Sequence, residues 1–121
     1  MNYKSSEVGN QIVCILHGVP DHLLNNPGYI RDSIRRALEE EKFTVLKIDE
    51  HEFNPQGYTS LVLLAESHLA VHTYPEHKSM TVDLYSCRGP KDGRKTIKSL
   101  TKAMKPEKIK QIEHTVKLTD E

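Results

Sequence analysis

Four chemically reactive side chains interrupt the apolar segment LVLLAESHLAVHTYPEHKSMTVDLYSCRG, residues 61–89: Ser67, His68, His72 and Cys87. A hydroxyl or thiol near a histidine is the arrangement that activates a nucleophile, and histidine also moves protons and binds metal ions. The simpler interpretation makes each histidine a strand residue with one satisfied hydrogen bond, and the cysteine a small core residue. The spacing of the four residues decides which chemistry is possible.

Metal binding and serine-hydrolase chemistry do not fit this spacing. The run LAVHT, residues 69–73, alternates and contains β-branched residues, which predicts a strand. Four residues of a strand span about 13 Å, so His68 and His72 cannot both lie about 2 Å from one zinc ion. The chain also lacks the G-x-S-x-G turn that presents the serine of α/β-hydrolases. We therefore expect no metal site and no hydrolase triad.

The two cysteines have different expected roles. Cys87 stands where a predicted strand ends, beside Arg88, and a neighbouring cation favours the thiolate, so that its proton can be exchanged at neutral pH. Cys14 lies between Val13 and Ile15 and is expected in the core. The cysteines are far apart and form no CxxC pair, which argues against a disulfide framework and for reduced thiols in the cytoplasm.

Length and charge limit the class of protein. The chain has 121 residues, enough for one domain with a hydrophobic core. Lysine plus arginine and aspartate plus glutamate both number 17, so the formal net charge is zero. Because no long basic run stands out, we expect binding neither to nucleic acid nor to an anionic membrane. The longest apolar run, residues 61–65, is too short to cross a membrane, and the first ten residues lack a signal-peptide core.

Hydrophobic periodicity predicts an α+β fold, a two-layer sandwich of a mostly antiparallel sheet with two helices on one face. Over residues 29–42 the apolar positions recur at helical spacing, and residues 80–87 alternate between two faces as a strand does. The expected order is strand 11–17, helix 29–42, strands 43–53, 58–66, 68–73 and 80–87, helix 93–104 and strand 108–118.

The motifs AESHLAVHTYPE, residues 65–76, and VDLYSC, residues 82–87, resemble the cleavage and active-site region of S-adenosylmethionine decarboxylase in its short bacterial and archaeal form. The likeness includes GNQIVCILHG near the start and FNPQG at 53–57, and it extends over about residues 9–118 in the same order and spacing. No single motif is specific for this family. The combination is specific: ESH, then a histidine shortly before an aromatic-Pro-Glu turn, then a later cysteine.

The resemblance implies a proenzyme that cuts itself between Glu66 and Ser67 by autocatalytic serinolysis. Ser67 Oγ attacks the carbonyl of Glu66, an ester replaces the amide, and elimination leaves a pyruvoyl group at position 67. The products are a β chain of residues 1–66 and an α chain of residues 67–121. By position, His72 matches the processing histidine and Thr59 falls where the family usually has an assisting serine. The neighbouring His68 is a weaker candidate.

The resemblance also implies the decarboxylation site. The pyruvoyl ketone forms a Schiff base with the substrate amine and accepts electrons as carbon dioxide leaves. Cys87 matches the catalytic proton donor, Phe53 and Tyr74 match the aromatic residues that enclose adenine, and Glu76 matches the carboxylate that receives the ribose hydroxyls. The product is the aminopropyl donor for spermidine synthesis. The family resemblance further implies a cytoplasmic homodimer with two active sites near its interface.

Departures from the family pattern leave two other functions open. Tyr74 stands where tryptophan is common and Arg88 where glycine is usual, and added positive charge can either repel a sulfonium or grip a substrate carboxylate. One alternative is therefore a pyruvoyl-dependent arginine or ornithine decarboxylase of the same lineage. The other is a non-cleaving, non-catalytic relative that serves as a binding or regulatory subunit.

Strand alternation makes one further demand on the cleavage site. Alternation places Ser67 on one face of its strand and His72 on the other. If His72 assists at Ser67, the strand must bulge or kink near the cleavage site.

Overall fold

A computed structural model describes residues 4–120. Residues 1–3 of the expected β chain and residue 121 of the expected α chain lie outside the described part. The strands are β1 Val8–His17, β2 Val45–Glu52, β3 Tyr58–Leu64, β4 Ser67–Tyr74, β5 Ser79–Ser86 and β6 Lys108–Lys117. The helices are α1 Asp21–Leu24, α2 Pro27–Glu40 and α3 Arg94–Met104, with one 3₁₀ turn at Pro75–His77.

The six strands form one sheet in the order β2-β3-β4-β5-β1-β6, and every neighbouring pair is antiparallel. The expected α+β sandwich is therefore confirmed. Sequence periodicity missed α1, because a single turn of four residues carries too few positions to show a period. The strand expected over 43–53 begins only at Val45, since Phe43 is buried in the turn that precedes it.

One face of the sheet is buried under the helices, as the alternation predicts. In β5 the even-numbered residues 80–86 are buried, and Cys14 in β1 is fully buried in the core as expected. Asn26 starts α2, because its side-chain oxygen accepts a hydrogen bond of 3.0 Å from the Tyr29 N–H while Pro27 occupies the first turn. Within residues 4–120, no helix has both the length and the apolar character that a membrane crossing requires.

The other face of the sheet is partly apolar and open. Leu61 and Leu63 of β3 are 51% and 53% exposed, and together with Ala70 of β4 they line a depression of about 440 Å³ with His68 on its rim. An apolar sheet face is normally covered by another layer, so this surface is suited to a second protein surface.

Candidate active site

The cleavage candidates meet where β4 begins and β5 ends. Ser67 is paired with Ser86 across the two strands, and Cys87 follows directly after β5. The backbone N–H of Cys87 donates to the carbonyl oxygen of Glu66 at 3.1 Å and to Ser67 Oγ at 3.3 Å. One donor therefore contacts both the hydroxyl that would attack and the carbonyl that would be attacked, which polarises that carbonyl.

The peptide before the candidate scissile bond is also held. The Ala65 N–H donates to the Thr44 carbonyl at 3.0 Å, which anchors the β3–β4 connection to the turn that follows α2. The side-chain oxygen Oε1 of Glu66 is buried and, among residues 4–120, has no hydrogen-bond partner. A buried carboxylate oxygen without a partner is costly, so water or a second chain is expected to satisfy it.

His68 and Tyr85 form an aromatic pair beside this end of β4. Their rings stack with centroids 5.8 Å apart and planes inclined by 25°. The Tyr85 phenol lies over Gly9, where a Cβ atom would come within 2.3 Å of the phenol oxygen, so only glycine leaves room for it. The candidate His68 is thereby oriented by the sheet and lies next to Ser67.

The remaining predicted site residues form a second group at the opposite end of β4. Its cleft has a volume of about 370 Å³, within the range of small-molecule sites, and its lining includes Phe53, Thr59, His72, Tyr74 and Glu76. Phe53 is 51% exposed and Tyr74 is 40% exposed, so both rings have free surface against which a planar group could stack.

His72 is oriented within this cleft by a cross-strand partner. Thr59 Oγ1 lies 3.1 Å from His72 Nδ1, and the two residues are paired between β3 and β4. Thr73 adds a second contact between β3 and β4, because its hydroxyl accepts a hydrogen bond of 2.8 Å from the backbone N–H of Tyr58. The imidazole of His72 is therefore held in place by the hydroxyl of Thr59.

A chain of polar contacts joins the start of β3 to α2. The buried phenol of Tyr58 donates to Glu50, which forms an ion pair of 2.6 Å with Arg31. Burial, reinforced by the hydrogen bond to Glu50, raises the pKa of Tyr58 to about 12. The hydrogen bond from Arg31 lowers the pKa of Glu50 below its usual value, which keeps this carboxylate charged.

His51 belongs to this group, although the sequence interpretation omitted it. It is paired with Thr59 between β2 and β3, and its ring packs edge-on against Phe53 with centroids 4.5 Å apart. His51, Thr59 and His72 thus form one row across three strands. The sequence indicated only that the turn at 54–57 joins two strands of one hairpin, and a hairpin centred there would pair His51 with Ser60, whereas the structure pairs it with Thr59.

The expected bulge near the cleavage site is wrong. β4 pairs with β5 in continuous register from Ser67 to Tyr74, and with β3 in continuous register from His68 to His72. Five residues of such a strand span about 17 Å, so Ser67 and His72 do not meet within one chain. Hydrogen bonding to a neighbour on each side keeps β4 regular, because a bulge would disrupt both ladders.

The candidate residues thus lie in two separate groups within one chain, one around Ser67 and Cys87 and one around His72. Within residues 4–120, no group of three or more His, Cys, Asp or Glu side chains is positioned to hold a metal ion.

Comparisons with known proteins agree with the motifs. A family model described as S-adenosylmethionine decarboxylase matches residues 10–115. The chain is 39% identical over 103 residues to the S-adenosylmethionine decarboxylase proenzyme of Brevibacillus brevis, covering 85% of this chain and 77% of that protein. It is 35% identical over 102 residues to the proenzyme of the same name from Thermoplasma volcanium, covering 84% and 78%.

Solved structures show the same architecture. The crystal structure of the adenosylmethionine decarboxylase from Aquifex aeolicus superimposes with a TM-score of 0.87 at 28% identity, over 97% of each chain. A Trypanosoma brucei AdoMetDC monomer shares the fold, with a TM-score of 0.61 at 14% identity over 86% of this chain and 45% of that one. The resemblance read from the motifs is confirmed, and this chain belongs to the S-adenosylmethionine decarboxylase family.

Proposed function

We propose that this chain is the proenzyme of a pyruvoyl-dependent S-adenosylmethionine decarboxylase, a carboxy-lyase activated by self-cleavage between Glu66 and Ser67. The observation that carries the proposal is the single N–H of Cys87 shared by the Glu66 carbonyl and Ser67 Oγ. Membership of the family supports the same chemistry.

Self-cleavage begins with an acyl shift. Ser67 Oγ adds to the carbonyl carbon of Glu66, the C–N bond breaks, and the hydroxyl proton passes through a base to the freed amine of residue 67. The Cys87 N–H is placed to stabilise the charge that develops on the carbonyl oxygen. His72, held by Thr59, is the proposed proton carrier.

Elimination then separates the chains. A base removes the Cα hydrogen of residue 67, the Cβ–Oγ bond breaks, and Glu66 leaves with a free carboxylate. The dehydroalanine that remains takes up water and releases ammonia, which leaves a ketone at the start of residues 67–121. This position fits a pyruvoyl group, because the serine that would form it opens a strand, is partly exposed and already contacts a backbone donor.

The pyruvoyl carbonyl supplies an electron sink for the loss of carbon dioxide from a bound amine. Cys87 is partly exposed beside position 67 and is the proposed donor of the proton that returns to the substrate carbon. His68 lies next to the same position and is a weaker candidate for proton transfer.

The cleft at the other end of β4 supports S-adenosylmethionine as the substrate. The half-exposed rings of Phe53 and Tyr74 offer faces for adenine, and Glu76 offers a carboxylate for the ribose hydroxyls. Arginine and ornithine have no adenine ring, so two half-exposed aromatic rings together with a carboxylate favour the nucleoside substrate over either amino acid. The product would serve as the aminopropyl donor for spermidine synthesis.

The separation of the two groups of candidate residues supports a homodimer. In a two-fold contact, residue i of one protomer meets residue j of its partner and the reverse. If the axis passes near the middle of β4, the Ser67 end of one protomer lies close to the His72 end of the other. His72 is on the open face, whereas alternation places Ser67 on the helix side, so the two residues would meet around the start of β4, where Ser67 is partly exposed. The apolar face lined by Leu61, Leu63 and Ala70 is the proposed contact surface.

The intact mass of the purified protein under denaturing conditions tests the proposal. We expect two chains that divide between Glu66 and Ser67, the second blocked at its N-terminus, together with release of carbon dioxide from S-adenosylmethionine but not from arginine or ornithine. Ser67→Ala is the control and should remain one inactive chain. An uncut wild-type chain after long incubation would favour the non-catalytic alternative, and a Ser67→Ala protein that still decarboxylates would refute the pyruvoyl mechanism.

A further inference from the structure

Arg88, the residue after Cys87, makes an unusually complete set of contacts. Its guanidinium lies 3.6 Å above the centroid of the Phe43 ring. Its Nε and Nη2 atoms donate to the two carboxylate oxygens of Asp92 at 2.8 and 3.2 Å. Nη2 also donates to the Glu41 carbonyl at 2.9 Å, and Nη1 to the Lys42 carbonyl at 3.2 Å. Four of its five N–H donors contact protein groups, so its fork is not free for a substrate carboxylate.

Asp92 closes a ring of hydrogen bonds around Cys87. The hydroxyl of Ser86, which is fully buried, donates to Asp92 and accepts from the Arg88 N–H at 3.0 Å. Ser86 is also the cross-strand partner of Ser67. Cys87 therefore lies between Ser86 and Arg88, and the carboxylate of Asp92 accepts hydrogen bonds from both of these neighbours.

The turn that Arg88 contacts also holds the chain just before the candidate scissile bond. The carbonyl of Thr44, in the same turn, accepts a hydrogen bond from the N–H of Ala65, the residue before Glu66. Glu41 caps the start of α3 with its carboxylate, accepting from the N–H groups of Gly93 and Thr96 at 2.8 Å each. The loop after Cys87 is thus fastened at both of its ends.

We propose that Arg88 and Asp92 act as one clamp that positions the Cys87 N–H on the Glu66 carbonyl and on Ser67 Oγ, and that self-cleavage depends on this clamp. The inference rests on the proposed function above. Arg88 is a positioning residue, because it acts through the backbone of its neighbour and not on the reacting atoms. Its bidentate pairing and its stacking on Phe43 suit this role, since lysine could reproduce neither.

Cleavage rates of the full chain test the clamp. Wild-type, Arg88→Gln, Asp92→Asn and the double variant are made by cell-free synthesis, and the fraction cut is followed by denaturing mass spectrometry. The matched control is Arg94→Gln, because Arg94 is also bidentate to a carboxylate, that of Glu113. Its guanidinium donates to neither the loop nor the turn, and it is linked to the Asp92 backbone only through Glu113 and Asn10. Thermal midpoints are measured on the same substitutions in uncleavable Ser67→Ala protein, which separates lost stability from lost positioning.

We expect each clamp variant to cleave slower by about tenfold or more, as the loss of a charge-assisted contact predicts. The double variant should be no slower than the slower single variant, because both changes break one unit. The cleavage rate of Arg94→Gln should stay within about twofold of the wild-type rate, even if its thermal midpoint falls as far as that of Arg88→Gln. Arg88→Lys should remain slow, since an ammonium cannot form the fork.

The outcomes separate the two proposals. A wild-type chain that stays uncut overturns both the proposed function and the clamp. If wild type cleaves and Arg88→Gln cleaves equally fast, or if Arg94→Gln slows cleavage as much, the clamp alone falls. If the double variant cleaves slower by the product of the two single-variant effects, Arg88 and Asp92 act independently, and the proposal that they form one clamp is wrong. If Arg88→Gln fails to fold by circular dichroism, Asp92→Asn, which keeps side-chain volume, decides the question by itself.

Discussion

Ser67 and His72 lie at opposite ends of β4, on opposite faces of the sheet and five residues apart in one unbroken antiparallel ladder. Ser67 contacts the backbone of Cys87, whereas His72 contacts the hydroxyl of Thr59. The chemistry proposed for this chain needs both residues at one site. Assembly and activity are therefore tested together.

Mixed dimers should restore cleavage to variants that fail alone. We expect Ser67→Ala and His72→Ala to remain uncut when expressed separately. In a mixed dimer, the Ser67 of the His72→Ala chain faces the intact His72 of its partner, so the His72→Ala chain should be cut. Chains tagged with different masses identify the product by denaturing mass spectrometry. Mixed dimers that form but leave both chains intact would place the site within one protomer.

Cys87→Ala should separate cleavage from decarboxylation. Alanine keeps the backbone N–H that contacts the Glu66 carbonyl and Ser67 Oγ, so the chain should still divide. The thiol proposed to return the proton is lost, so kcat should fall by about a hundredfold or more. Denaturing mass spectrometry measures the first effect and release of carbon dioxide the second. Full activity in the cleaved variant would show that another group donates the proton to the substrate carbon, with His68 the nearest candidate.

Tyr74 should contribute to substrate affinity through its ring. Tyr74→Ala removes one stacking face and should raise KM for S-adenosylmethionine by about threefold to tenfold, with a smaller effect on kcat. Tyr74→Phe keeps the face and is the matched control, with a KM close to that of wild type. Steady-state kinetics on fully cleaved protein provide the comparison. Equal KM values for the alanine and phenylalanine variants would remove Tyr74 from the substrate site.

Glu50 should stabilise the fold above its titration range. Its pKa is lowered by the hydrogen bond from Arg31, so its contribution is complete above the unfolded pKa of about 4.3 and disappears as pH falls through the folded value. Glu50→Gln should therefore lower the thermal midpoint at pH 7 by a few degrees or less, and the difference should close as the pH falls through the lowered pKa of Glu50. Glu52→Gln, an exposed neighbour on β2, is the control and should change little at either pH.

The two thiols should differ in reactivity. Burial raises the pKa of Cys14 to about 11, and its side chain is fully buried, whereas Cys87 is partly exposed. Iodoacetamide at neutral pH should label Cys87 in the folded protein and Cys14 only after unfolding. Peptide mapping locates the label. Rapid labelling of Cys14 under native conditions would show that β1 opens far more readily than its central place in the sheet suggests.

Local patterns in the sequence were sufficient for most of the fold. Helical spacing identified α2 and α3, alternation identified the buried face of β5, and the apolar run around Cys14 identified a core strand. These features depend on residues a few positions apart, and burial of one face imposes the same period wherever the element lies. The motifs around Ser67, His72 and Cys87 likewise identified the family without any coordinates.

Only the tertiary structure decided how the site residues are distributed. The register of β4 against two neighbours keeps Ser67 and His72 apart, and the hairpin register pairs His51 with Thr59. Arg88 stacks on Phe43, a residue 45 positions earlier in the chain (88 minus 43). Such contacts follow from strand pairing and from the packing of distant turns, which carry no local period in the sequence.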